Sequence, residues 1–286
     1  MGLICINPPT AEPFDLAEAK LQVREDVGLV DEDSLLRAFI ATARNYAEDF
    51  THKQFCAASY KQVLDAFPFA QAYGGVYGVA HARPGNALYL ERGPVLQVTS
   101  IQYLDQSRVV QTLDPTLYVV DYSSDPVKIT PIFGQIWPIP MPQIGSVWIN
   151  FLCGYAAPLI ADATANTIRI QNWPALAVND IIRVSNSGGA LPGGLAVGTD
   201  YFIKSVVSSG VYTLAASIGG TTIDLTDIGT GTSYVGIIPE NLVGWMRIRF
   251  GALTENREEV AILSRGKIEP LPYVDQMLIM HKTWQF

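Results

Sequence analysis

Between Asp31 and Phe50 the chain can fold in only one regular way. Apolar residues fall at Leu35, Leu36, Phe39, Ile40, Ala43, Tyr46, Ala47 and Phe50, a spacing of about 3.6 residues that gathers them on one face of a helix. Asp31 or Asp33 can accept backbone N–H bonds at the start, and Asp31, Glu32 and Asp33 suit the positive end of the helix dipole. The opposite face carries Arg37, Arg44, Asn45, Glu48 and Asp49. One side is built for burial, and the rest of the chain must supply its partner surface.

Upstream, a Pro-rich lead (Pro8, Pro9, Pro13) precedes Asp15 and Glu18, a D-x-x-E capping box that opens a short helix through about Arg24. Leu16, Ala19, Lys20 and Val23 give it one side for packing, and a turn around Gly28 makes the two helices a hairpin over residues 15–52.

From Ala57 onward, short runs of β-branched and aromatic residues are cut by Gly, Pro and Asp. Strands are predicted at 58–66, 87–91, 97–104, 108–112, 117–121, 126–130 and 146–153, with a long Gly-rich loop over 72–86 as a candidate contact arm. Residues 158–236 are rich in Thr, Ser and Gly. They predict further strands at 167–171, 181–184, 200–207, 211–215 and 222–225. Pro239 then suits the first turn of a helix with Leu242, Val243, Met246, Phe250 and Leu253 on its apolar side. The expected class is α+β. A helical bundle, made of the N-terminal hairpin and the C-terminal helix, packs with a β-rich part and carries an all-β insertion.

A chain of 286 residues can bury a core without metal or disulfide staples. Only 16% of it is charged against 49% hydrophobic, too little charge for a monomer covering its own surface, so an assembly subunit is the natural reading. The net charge is −8, and Glu25, Asp26, Asp31, Glu32 and Asp33 form a run with no basic residue, which argues against a phosphate-binding groove there. Cys5, Cys56 and Cys153 have neither pairing nor metal spacing and read as small buried hydrophobes. The opening MGLICINPPT lacks the features of a signal peptide, and no apolar run is long enough for a membrane span. The expected place of synthesis is the cytoplasm, with export only inside a larger particle.

Catalytic chemistry finds no constellation. His52, His81 and His281 have no local partner for acid–base work, and no HExxH, CxxC, GxSxG or GxxxxGK[ST] occurs. The glycines of 187–194 precede a strand-like segment instead of a helix N-terminus, so they read as a turn. Asp31/Asp33 and Glu258/Glu259 read as surface helix charges. Trp137, Trp148, Trp173, Tyr201 and Tyr212 would make a sugar platform only if they shared a face, and core packing is the simpler reading. No enzyme, cofactor or metal is expected.

Three segments in order carry a resemblance: D-L-x-E-A-K over Asp15 to Val23, the helix D-x-x-L-L-x-x-x-I-x-x-A-R over Asp33 to Arg44, and L-x-L-x-R-x-P-V-x-x-V-T-S-I-x-Y-L-D over Leu88 to Asp105. Val147 to Tyr155, Ile238 to Leu242 and Glu255 to Glu258 extend it. Together they resemble the head–tail connector (adaptor) proteins of tailed phages. Residues 158–236 depart from that pattern and resemble small β modules of phage tail and fibre proteins. The implied organisation is a connector core of 1–157 and 237–286, comprising the hairpin 15–52, a β-rich part 57–156 and a C-terminal helix and tail 239–286, with an inserted β domain at 158–236.

The resemblance implies a structural virion protein at the head–tail junction, a homo-oligomeric ring of dodecamer type. Its partners would be the portal protein, a stopper or tail-completion protein, and genomic DNA passing through without sequence-specific binding; no membrane is involved. Apolarity and the habit of that family point to Leu271, Tyr273, Met277, Ile279, Met280, Trp284 and Phe286 as portal or subunit anchors, and the acidic, poorly phosphate-binding run makes Glu25, Asp26, Asp31, Glu32 and Asp33 the candidate channel-facing acids. The competing expectation is a carbohydrate- or host-surface-binding virion module acting through the inserted domain.

Overall fold

The computed structural model describes residues 2–68, 86–255 and 274–283. The chain is an α+β fold dominated by antiparallel strands, and it divides into two compact units. One takes in Met1–Pro8, Ala58–Cys153 and Thr283–Phe286, the other Pro9–Ala57 and Gly154–Lys282. The helical hairpin and the strands of 57–156 therefore fall in different units.

The first unit contains β1 (Gly2–Asn7), β2 (Ala58–Leu64), β3 (Leu88–Tyr89), β4 (Val95–Leu104), β5 (Val110–Thr112), β6 (Tyr118–Asp121), β7 (Lys128–Pro131) and β8 (Val147–Cys153). One sheet runs β1-β2-β8-β4-β5 and a smaller one β3-β7-β6. β2 alternates strictly between buried and half-buried positions, the period-2 signature of a strand with one face on a core. That core holds Tyr60, Ile101, Ile129, Val147, Ile149 and Phe151. β1 was not expected: among its residues only Leu3 is less than exposed, so an edge strand with almost no buried face leaves no alternation to read.

The second unit contains α1 (Leu16–Gln22), α2 (Asp33–Thr51), β9 (Ala156–Asp162), β10 (Thr167–Ile170), β11 (Ile181–Ser187), β12 (Asp200–Ser208), β13 (Val211–Ala215), β14 (Thr232–Gly236), α3 (Glu240–Glu255) and α4 (Gln276–Ile279). Its strands close into a barrel in the order β10-β13-β12-β11-β14-β9. β9 was missed because Pro158 punctuates it. The strand expected at 222–225 does not form beyond a single bridge from Thr222 to Ala215. The amide of Ile223 goes to Leu214 O and that of Leu225 to Asn166 Oδ1, both at 2.8 Å, so no regular ladder is left.

The helical part is two long helices, α2 and α3, with two short ones beside them. Leu36, Ile40 and Ala47 of α2 share a core with Leu242, Met246 and Phe250 of α3, Phe14, and Tyr234 of the barrel. The reading of α2 needs three corrections, the first being that Glu48, assigned to the face left for solvent, is 4% exposed. Leu35 and Tyr46, assigned to the buried face, are 36% and 50% exposed, and Tyr46 instead stacks on Trp245 at 5.5 Å. Neither Asp31 nor Asp33 caps the helix: the N-cap is Glu32 and makes no side-chain cap bond. Among the cysteines, Cys56 and Cys153 are buried but Cys5 is exposed, because it lies on the edge strand β1.

Candidate functional site

The acidic run lies on the turn that joins α1 to α2, and a buried lysine organises it. Lys20 is 2% exposed. Its ammonium donates to the carbonyls of Val27, at 3.3 Å, and Leu29, and pairs with Asp33 at 2.5 Å. Two carbonyl hydrogen bonds and one carboxylate ion pair thus surround it, the condition under which an ammonium is tolerated in an interior. Asp33 is therefore not a free acid, which explains why it does not cap α2. Asp26 accepts the Gly28 amide at 2.9 Å. Asp26 and Asp31 are exposed, Glu25 and Glu32 half-buried. Glu25, Asp31 and Glu32, with Arg24 and with Glu255 at the end of α3, line a cleft of about 630 Å³ that also takes in Val23, Leu29 and Leu36.

A second polar cluster lies under the helices. Arg44 donates from Nε to Glu12 at 2.7 Å and from Nη1 to Glu48 at 2.8 Å. The other Glu48 oxygen accepts Gln54 Nε2 and the Phe55 amide, both at 2.8 Å. Burial works against the Arg44 charge, but Glu48 and Glu12 more than offset it and hold its pKa above the ordinary guanidinium value. Burial first, then the same two carboxylates, pushes the Cys56 thiol up, which keeps it protonated and unreactive.

A third cluster ties α1 to the barrel. Asp15 caps α1 through the Glu18 amide at 2.9 Å. Glu18 pairs with Arg247 of α3 and accepts from the Ser187 hydroxyl at the end of β11. Gly188 follows with φ +74°, and a Cβ there would run into the Asp15 carboxylate. Here the glycine is required both by its backbone angle and by the close approach. The 187–194 segment is thus a turn packed on a helix start, not an anion cradle.

Of the proposed anchors, Met277 is half-buried against the helical core, beside the fully buried Leu278. Trp245 Nε1 donates to Asp275 at 3.3 Å, and the Lys282 ammonium lies 4.7 Å from the Phe50 ring centre. This stretch therefore folds back on α2 and α3. Ile279 and Met280 remain 43% and 79% exposed. Leu271, Tyr273, Trp284 and Phe286 lie outside the described residues, as do the 72–85 part of the candidate arm, His81 and the Glu258/Glu259 pair. His52 ends α2 in the left-handed region. His281 has its pKa lowered by burial and then by Lys53. Among the described residues no group of His, Cys, Asp or Glu is placed to hold a metal, and no helix is long and apolar enough to cross a membrane.

The aromatics considered for a sugar platform do not form one. Trp137, Tyr201 and Tyr212 are buried. The hydroxyls of Tyr201 and Tyr212 accept the amides of Ala196 and Leu176, at 2.7 and 3.1 Å. The residues sequence reasoning passed over are Lys20, Glu48 and Ser187. The signal for Lys20 is a charged side chain on a packing face; Glu48 sits on the face read as solvent-exposed and Ser187 in a stretch read as a turn, so neither carries one.

No protein-family model matches the chain, and no curated protein matches it. Its fold is similar to that of chains in three solved structures. One is the neck of an empty GTA particle computed with C6 symmetry, with TM-score 0.55 and 14% identity, covering 100% of this chain and 97% of that one. The virion of a native gene transfer agent particle gives the same figures, and the neck of a native GTA particle computed with C12 symmetry gives 0.54 and 13% with the same coverage. The likeness therefore takes in the barrel as well as the helices.

Proposed function

We propose that this chain is a structural subunit of a phage-like virion neck, a head–tail connector that assembles as a ring around the path of the DNA. The observation that carries the reading is the end-to-end likeness of fold to chains of particles described as necks and computed with C6 and C12 symmetry. The adaptor-like motifs and the scarcity of charge agree with it. The finer reading is a ring of twelve seated on a portal protein, with a stopper or tail-completion protein on its other side. It is made in the host cytoplasm and located at the head–tail junction.

Function here is geometry and electrostatics, not catalysis. Helices packed side by side surround a channel, and the acids Glu25, Asp26, Asp31 and Glu32 repel phosphates, so DNA slides past without sticking. Within the terminal segment, the exposed Ile279 and Met280 are the described anchors left to meet the portal. Asp33 stays with Lys20 and contributes less to the channel field.

Native mass spectrometry of the purified chain, with and without its portal, tests this. A ring matching the portal's symmetry is expected. A chain that stays monomeric beside the portal and is absent from particles would overturn it.

A further inference from the structure

The stretch from Ile132 to Ile144 joins β7 to β8 and presents apolar side chains to solvent. Phe133 is 102% exposed, Ile144 90%, Ile136 84%, Ile139 62% and Ile132 42%. Scattered exposed leucines and isoleucines are ordinary on a protein surface; five large apolar residues within one connection are not.

This connection is pinned. Trp137 is buried, stacks on Phe67 at 5.0 Å and donates its Nε1 to Asn86 O at 2.6 Å. The Ile132 amide goes to Leu117 O at 3.0 Å, Met141 to Leu104 O at 2.7 Å and Gly145 to Asp65 at 2.8 Å. The outward side chains are therefore displayed from a fixed backbone, and much of the ordering cost of a contact is met before binding.

We propose that the 132–144 loop is a docking surface for a second copy of this chain, joined head to tail. Taking about 200 Å² for each large side chain, the five residues expose on the order of 700 Å², close to the ~800 Å² per partner of a standard interface. Between Ile129 and Ser146 there is no charged residue, in a chain of net charge −8. With no charge of its own, the loop adds nothing to the repulsion between two copies that each carry a net negative charge. A lipid surface would call for Lys or Arg beside the apolar groups, and this stretch has none. Head-to-tail contact uses different patches on the two copies and closes into a ring, so the proposal rests on the ring reading above and names the surface that would build it.

Replacing Phe133 with a photoreactive benzoyl-phenylalanine tests it, in a mixture of isotopically light and heavy full-length chains and, separately, in assembled particles. Mass spectrometry should find light–heavy adducts from position 133 to a residue outside 132–144 of the other copy. Adducts only to a different protein, only between two 133 positions, or none at all would overturn the proposal. Phe133→Asp with Ile144→Asp should weaken self-association at least tenfold while leaving the far-ultraviolet circular dichroism unchanged; unaltered association would also overturn it. Whether the chain is found in particles at all is read independently. Its absence there would sink the neck reading while leaving the adduct to decide the surface.

Discussion

The hydroxyl of Ser187 stands beside Glu18 in the position that would close a capping box. It accepts the Asp15 amide at 2.9 Å and donates to the Glu18 carboxylate. In a capping box the glutamate itself would take that amide. Here a residue 172 positions along the chain, at the end of β11, does so, and Glu18 is released to pair with Arg247. The start of α1, the barrel and α3 are joined through the Glu18 carboxylate, one oxygen on Ser187 and the other on Arg247.

Ser187→Ala should therefore cost more than a surface serine. It leaves the Asp15 amide and one Glu18 lone pair without a partner, at about 1–2 kcal/mol. Urea unfolding should show this loss, and adding Ser187→Ala to Glu18→Gln should cost clearly less than the sum of the two single changes, since both act on the same bond. Additive effects would mean that the hydroxyl does not mediate.

Glu48 is the more severe case, because its side chain is 5% exposed and that of its partner Arg44 12%. Removing one member of a buried ion pair strands the other. Glu48→Ala should lose about 3 kcal/mol or more. Glu48→Gln keeps an acceptor for the Gln54 and Phe55 donors and should lose roughly half as much. Equal losses in the two variants would show that charge, not acceptance, is what matters there.

These polar groups also mark where the sequence ran out. The face of α2 was legible because Leu36, Ile40, Ala43 and Ala47 repeat at helical spacing, and strands such as β2 and β8 because β-branched and aromatic residues are bounded by breakers. Lys20, Glu48 and Ser187 were not legible. Periodicity shows that a position faces inward, but the oxygens that satisfy a buried ammonium come from residues whose placement depends on the fold. β1 escaped because an edge strand with almost no buried face has no alternation to read, and β14 because its pairing is decided by neighbours far away in the chain. The loop at 132–144 lies between the predicted strands 126–130 and 146–153, and composition alone does not say which side of a surface its isoleucines end up on.

Asp121 gives a pH test at an exposed site. The Ser123 hydroxyl, then the Lys128 ammonium, hold its carboxyl down to about 2, against an ordinary value of 3.8. Because the folded value is depressed, the stabilisation it brings is fully present above 3.8 and is lost as the pH falls through about 2. Titration followed by carboxyl-carbon NMR should show that low midpoint. Ser123→Ala should move it upward more than Lys128→Met does, and an unmoved midpoint would remove the hydroxyl as the main cause.

Lys20 offers the sharpest test of how the acidic turn is organised. Its ammonium donates to Val27 O and Leu29 O and forms an ion pair with Asp33, so the chain from 27 to 33 is wrapped on a single cation. Lys20→Met keeps the apolar stem but leaves two carbonyls and a carboxylate unpaired, at a cost of about 2 kcal/mol. The loss should be local. Amide hydrogen exchange should accelerate through residues 24–33, while the Ile40 to Ala47 part of α2, held by its apolar face, stays protected. If exchange in the turn were unchanged, the lysine would be merely buried there. If exchange rose equally along all of α2, the turn and the helix would open as one unit, and the acids would owe their placement to the helix rather than to Lys20.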